Sequence, residues 1–464
     1  MKEPRRSIRG CAVFFFLYKE RYFLRRLLIG TLALGALVAV SFASTYAQTA
    51  PAPAASPAAS PAASPSPTAS PTPPWSVSGF GDATYTRPLP TGGTFLFTNG
   101  APDRVFDGIT GINTKAPYET NFVPNNLNFN IRKNTPSGQG LGGDVEVSLG
   151  SDANVIASYG AAGGTYTDVT QANLFYVTGP WTLTAGKFET LAGYEVIENP
   201  NNNQISRSIL FGYAINFTNT GVRLQYAPSH WTFTAGANLG WDQIVSTQGL
   251  STIEGGVTWT PSTIFSLGAD VYNGSEPSSL TPYPNGGTIA PKPSGTAMYT
   301  YPFGTITGTI YGTRTLLDVV GHWNPSSILN FGINYDIAQQ TNDQAFTSTG
   351  AVVTNLAGFP ILGNSKWSGV AGYAVWNTNS HVTFSGRFES FDDSNGVRSG
   401  FAQTWSEGSL TFQFVPQFAP NWKARLEYRD DWSNQPVFAR YTSPFGTAAS
   451  NNSSIAAEVL FTWP

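Results

Sequence analysis

Val145-Glu146-Val147-Ser148-Leu149 decides the architecture, because apolar side chains hold its odd positions and polar ones its even positions. An extended strand with that order has one greasy face and one wet face. The alternation recurs along the chain. Asn126 to Arg132 sets Leu127, Phe129 and Ile131 against Asn126, Asn128, Asn130 and Arg132, and Val222, Leu224 and Tyr226 oppose Arg223 and Gln225. Leu329, Phe331, Ile333 and Tyr335 oppose Asn330, Asn334 and Asp336; Trp422, Ala424, Leu426 and Tyr428 oppose Lys423, Arg425, Glu427 and Arg429. Helical periodicity is almost absent from Trp75 onward.

The connections between these strands are of two kinds. Short turns rich in Pro, Gly, Asn and Ser lie at 135–140, 179–180, 228–230, 261–263, 324–327, 377–380 and 416–421. Long polar loops alternate with them, at 87–118, 151–168, 190–206, 242–250, 274–312, 338–364, 392–403 and 432–451. Fifteen connections imply about sixteen strands, within a range of roughly fourteen to eighteen, with both termini on the short-turn side. The predicted fold is all-β: a transmembrane antiparallel up-and-down barrel over residues 75–464, with short periplasmic turns and long extracellular loops. In the longest loop, residues 299–312 add either strand length or a further hairpin.

Charge placement separates this barrel from a soluble one. The wet parity carries Asp82, Arg132, Asp144, Glu146, Arg223, Glu254, Asp270, Arg314, Asp318, Asp336, Lys366, Arg387, Glu389, Lys423, Arg425, Glu427, Arg429 and Glu458. Only Lys187 and Glu189 fall on the greasy parity. A Lys or Arg on the lipid face costs about 2–4 kcal/mol at the midplane, so the segregation fits a barrel with a wet interior. Trp181, Trp231, Trp259, Trp323 and Trp422 sit beside short turns, where an interfacial girdle belongs. The last strand ends in Phe461 and Trp463, followed by Pro464.

Composition agrees. Of 464 residues only 11% are charged while 14% are aromatic, the reverse of a disordered chain, and no basic footprint for nucleic acid exists. The mean hydropathy of −0.13 averages one greasy and one wet parity. Residues 1–47 read as an export signal, with eight basic residues before the apolar run Leu27 to Val40, too short for a spanning helix. Its removal leaves 17 basic and 26 acidic residues, a net charge of −9, and takes away Cys11, the sole cysteine. Residues 48–74 form an Ala/Pro/Ser-rich periplasmic linker. His230, His322 and His381 lack metal-ligand spacing, so no metal site and no cofactor is expected.

Several stretches resemble one family. Gly186-Lys187-Phe188-Glu189-Thr190, Gly193-Tyr194-Glu195-Val196-Ile197, Ser206-Arg207-Ser208 and Thr220-Gly221-Val222-Arg223-Leu224 are similar to the central signature of the putative β-barrel porin-2 family, OmpL-like. Arg387-Phe388-Glu389 with Asp393 and Gly396, and Arg425-Leu426-Glu427-Tyr428-Arg429, resemble its C-terminal strands. The resemblance spans 75–463 and implies an outer-membrane pore-forming protein of a Gram-negative-type bacterium, without an enzymatic site.

A barrel of this size with a polar inside leaves an aqueous channel. The leading expectation is passive diffusion of small hydrophilic solutes or ions, with a weak cation preference set by the acidic excess. The expected pore-lining residues are Arg132, Asp144, Glu146, Arg223, Glu254, Asp270, Arg314, Asp318, Asp336, Arg387, Glu389, Lys423, Arg425, Glu427, Arg429 and Glu458. The bases among the last strands have two readings, a transverse field across a constriction or an ion-pair network that holds register. The loop 190–206, with Glu195, Glu198, Asn202 and Arg207, has two as well: folded inward to narrow the pore, or outward on the surface. Expected partners are outer-membrane lipid, lipopolysaccharide and the barrel-assembly machinery, with homo-oligomerisation left open and no nucleic acid. A barrel-anchored adhesin and an outer-membrane enzyme are the competing classes, although no Gly-x-Ser-x-Gly elbow is present. Asp393-Ser394-Asn395-Gly396 lacks a first calcium ligand, since Phe391 stands there, and reads as a turn.

Overall fold

Sixteen strands pair with their sequence neighbours all the way round and close into one antiparallel barrel. This computed structural model describes residues 74–89, 121–135, 138–158, 166–246, 248–277, 297–301, 304–308, 311–344, 353, 362–440 and 447–464. The export signal and almost all of the linker lie outside the described residues.

The first half of the wall is β1 (Trp75–Pro88), β2 (Asn121–Lys133), β3 (Gly140–Leu149), β4 (Thr167–Thr178), β5 (Trp181–Glu189), β6 (Thr218–Tyr226), β7 (Trp231–Asn238), β8 (Thr252–Trp259) and β9 (Phe265–Pro277). A separate hairpin of β10 (Ala297–Tyr301) and β11 (Gly304–Gly308) follows, in the loop where sequence left strand extension or a hairpin open. The wall resumes with β12 (Tyr311–Trp323), β13 (Leu329–Gln344), β14 (Leu362–Asn377), β15 (Val382–Asp393), β16 (Gln403–Phe414) and β17 (Trp422–Ser433). A second small hairpin, β18 (Phe438–Arg440) with β19 (Thr447–Ala449), precedes the closing strand β20 (Asn451–Trp463). Closure joins β20 to β1 from Gly79 opposite Trp463 to Pro88 opposite Ser454. Gly79 suits that seam: a Cβ there would lie 2.1 Å from Asn128 O and 2.4 Å from the Trp463 ring.

All seven expected short turns join the strands they were expected to join, and the eight long connections leave from the other rim. On the outside, Val77, Ile131, Val145, Leu224, Phe233, Val271, Ile333, Leu410 and Val459 are exposed, as lipid-facing side chains are in an isolated barrel. The five expected girdle tryptophans are exposed too, and Trp181 stacks on Tyr226 while Trp231 stacks on Trp259.

Two expectations about parity need correction. Lys187 and Glu189 do not reach the lipid face. Gly186 has φ +127, a kink that only glycine adopts readily, and beyond it Lys187 is buried with its ammonium 3.0 Å from Asp168. Glu189 accepts from Gln171 on the inside. On β14 the reading was inverted: Lys366 is exposed on the outward parity, and Ser365, Trp367, Gly369, Ala371 and Tyr373 point inward and are buried. Alternation fails as a guide there because the strand's inner face packs on apolar atoms rather than water.

The lipid face defines the first prediction. Val222→Arg, mid-strand on the outside of β6, should lower the unfolding free energy in lipid vesicles by about 2–4 kcal/mol. Gln225→Arg, facing the lumen on the same strand, should change it little in the same urea titration.

Candidate functional site

A buried backbone segment inside a barrel must find partners for every N–H and C=O. The connection from β5 to β6, residues 190–217, meets that demand with the wall's charged side chains. It enters the lumen at Gly193, whose φ of +101 and close approach to Ile215 exclude a side chain. The Gly193 N–H donates to Asp318 (3.1 Å) and the Tyr194 N–H to Asn334 (3.1 Å). Farther along, Ile205 and Ser206 N–H donate to the two oxygens of Glu427, at 2.7 and 3.1 Å. Ile209 and Leu210 N–H do the same with Glu389, at 2.6 and 3.0 Å. Each carboxylate thus grips two successive amides, as strong anion-assisted bonds favour.

Arginines hold the carbonyls. Arg387 donates to Ser206 O (2.8 Å) and pairs with Glu195 at 2.7 Å and with Glu407. Arg425 reaches Asn202 O (2.9 Å) and pairs with Glu458 at 3.3 Å; Arg429 reaches Arg207 O (2.7 Å) and pairs with Asp431 at 2.8 Å. Lys423 donates to Pro200 O at 2.9 Å. Within the loop, Arg207 donates to Val196 O, Ile197 O and Asn199, and Asn202 bonds Val196 in both directions. Burial pulls the Arg207 guanidinium below its usual range, against the opposing charges of Glu195 and Asp152.

Apolar packing completes the seat. Ile209, Leu210, Phe211, Tyr213, Ala214, Ile215 and Phe217 pack with Trp367, Ala371, Tyr373, Phe391 and Trp405 of the wall into one buried cluster. Leu210 to Ala214 form a π-helical turn, and Trp367 donates its indole N–H to Ala214 O at 3.0 Å. Tyr194 stacks between Tyr373 (4.0 Å) and His322 (4.8 Å), and burial pushes its phenol up to about 12, so it stays neutral. The loop therefore fills the lumen along β12–β17, where inward side chains in the upper strands are buried. Across from it, Asn130, Gln171, Asn173, Thr184, Gln225 and Thr232 on β2–β7 remain half-exposed.

The expected pore-lining residues divide accordingly. Arg387, Glu389, Arg425, Glu427, Arg429 and Glu458 lie under the loop and grip it or one another, so the basic strand is a clamp rather than a free ladder. Asp318 stands between Asp270 and Asp336 in register, with Gly193 bonded to it. Arg314 lies over the Trp241 ring and bonds Gln340. On the other side, Arg132 pairs with Asp144 at 2.8 Å and keeps 47% of its side chain exposed, and Arg223 pairs with Glu254 at 2.6 Å. Glu146, Glu189 and the loop's Glu198 bring carboxylate oxygens within 4.8 Å of one another, the last two half-exposed.

Sequence reading missed Glu407 and Asp431. Glu407 shares its parity with Trp405, which made that face look greasy, and Asp431 lies just past the clear alternation of β17. The Asp393 segment is a turn, as expected, with the carboxylate accepting from Val397, Arg398 and Ser399 N–H.

Glu427→Ala should strand two buried amides, at about 1–3 kcal/mol each, and lower the urea midpoint of the folded barrel. Thr411→Val, which removes only the side bond to Glu427, should cost far less in the same titration.

Among solved structures, an anion-selective porin from Comamonas acidovorans shares the fold, with TM-score 0.52 and 9% identity over 84% of this chain and 99% of that one. OmpT of Vibrio cholerae, expressed in the outer membrane, matches with TM-score 0.48 and 10% identity over 84% and 97%. No curated protein matches the sequence. The family model for putative beta-barrel porin-2, OmpL-like, matches residues 95–462. With that match over most of its length and a closed sixteen-stranded wall, the chain belongs to this porin family, which points to the bacterial outer membrane.

Proposed function

We propose that the protein is a porin through which small hydrophilic solutes diffuse passively, with a preference for cations, and that it carries out no chemistry. One observation carries the sign of the preference. The lumen's arginines on β15 and β17 are buried against loop carbonyls and carboxylates, whereas Glu189 and Glu198 stand half-exposed beside Glu146 on the polar side. A passing ion meets acidic groups that are half-exposed, and arginines of β15 and β17 that are buried and already engaged. The porin from Comamonas acidovorans is anion-selective, and the opposite sign is expected here because of where these charges lie. The passage itself follows the polar wall from Asn130 to Thr232, away from the apolar cluster. The same reading sets the barrel in lipid below a lipopolysaccharide leaflet of a Gram-negative-type cell, inserted by the barrel-assembly machinery.

Purified protein in a planar bilayer should give discrete conductance steps. In a potassium chloride gradient its reversal potential should have the sign of cation preference, and Glu189→Gln with Glu198→Gln should move it toward zero. Lack of conductance removes the porin reading; a potential of anion sign removes the charge argument.

A further inference from the structure

Asp82, Asn125, Asn126 and Asp152 are buried in one neighbourhood beside the seam of the barrel. The register of β1 and β2 shifts between Asp82 and Ala83: Asn126 pairs with Asp82, Pro124 with Ala83, and Asn125 is the extra residue of a bulge. Both asparagines consequently turn inward, and each is 3% exposed. The chain leaving β3 bends at Gly150, φ +134, so close to the bulge that a Cβ there would lie 2.3 Å from Asn125 O. That bend starts the short helix α1 (Ser151–Ile156), which packs on β2 and carries Asp152, also 3% exposed.

Asn125 is aimed at Asp82. Its Nδ2 donates to Asp82 Oδ2 at 3.0 Å and to Thr84 Oγ1, and Asn126 Nδ2 donates to Ser148 Oγ at 3.3 Å. The amide oxygens are left over. Asp82 Oδ1, Asn125 Oδ1, Asn126 Oδ1 and Asp152 Oδ1 are all buried and accept no hydrogen bond. Two guanidiniums lie nearby and oppose the Asp82 charge, yet neither donates to these four oxygens: Arg425 pairs with Glu458, and Arg207 donates to loop oxygens. Buried acceptors without donors, two of them on carboxylates, are costly as they stand. Two carboxylate and two amide oxygens are the ligand chemistry of a hard divalent cation, and an irregular mixed set of this kind suits calcium better than the octahedral demands of magnesium.

We propose that Asp82, Asn125, Asn126 and Asp152 bind one calcium ion, joining the β1–β2 bulge to α1 beside the closing strand. The ion also steadies the lumen loop, because Asn199 donates to Asp82 Oδ2 at 2.8 Å and to Glu458 on β20. The sequence expectation of no metal rested on spacing, and these ligands come from three separate segments that only the bulge and the Gly150 bend bring together. The proposal does not depend on the pore reading.

The test uses full-length protein refolded from inclusion bodies into detergent, and hence free of lipopolysaccharide. Calorimetric titration with calcium chloride should show one ion bound per chain, and the urea midpoint should be higher in calcium than in EGTA. Asp82→Asn and Asp152→Asn should each weaken binding by about tenfold or more, equivalent to about 1.4 kcal/mol. Glu198→Gln, in the separate lumen cluster, should bind as the wild type does. Should Asp82→Asn fail to fold, Asp152→Asn, outside the strand ladder, carries the comparison. No calcium binding by the wild type, wild-type affinity in Asp152→Asn, or loss of binding in Glu198→Gln overturns the proposal.

Discussion

Charged side chains on the inner wall bond to the backbone of one loop, and the lumen takes its shape from that contact. Glu427 and Glu389 each bind two consecutive amides, while Arg387 and Arg429 bind carbonyls between them and Arg425 binds the Asn202 carbonyl before them. A polypeptide laid through a barrel without these partners would carry a run of unsatisfied polar groups. With them it becomes part of the wall, and apolar residues from Ile209 to Phe217 can pack on Trp367, Tyr373 and Trp405 without exposing backbone. Carboxylate and guanidinium groups in this pore therefore serve first as structure.

That assignment changes how lumen charge relates to transport. An ionised group already hydrogen-bonded and covered exerts little pull on a passing ion, because it is locally balanced by a partner at 2.5–3.3 Å. Charges that keep contact with the passage matter more. Among them are Glu189 and Glu198, with half-exposed Lys423 bonded to Pro200 O and with Arg132 and Asp144 forming a neutral pair toward the short-turn rim. A formal count of lumen acids and bases, by contrast, weighs clamped and free groups alike.

Much of the barrel was legible in the sequence because a strand between lipid and water has to alternate. The seven turns, the strand number and the inward position of residues such as Arg223, Glu254 and Asp318 all follow from that constraint. It loses force where the lumen is not wet. Trp367 and Tyr373 on β14 and Trp405 on β16 point inward onto the loop, so Lys366 was put on the wrong face and Glu407 was passed over. Gly186 shows a second limit, since Lys187 and Glu189 just beyond its left-handed φ both reach partners on the inside. The loop's path was undecidable locally: its bonds to Glu389 and Glu427 join residues about two hundred positions apart, and no spacing reports such pairs.

The central claim is that wall carboxylates hold the loop across the lumen and so set the size of the passage. Single-channel recording of a Glu389→Gln, Glu427→Gln double variant tests it most directly. Each substitution leaves one neutral bond and sets an amide NH2 against the second backbone N–H, and the loop should loosen from the β15–β17 wall. The account predicts a larger unitary conductance than the wild type, with added current noise. A conductance and noise level equal to the wild type's, in a variant shown to be folded, would contradict it.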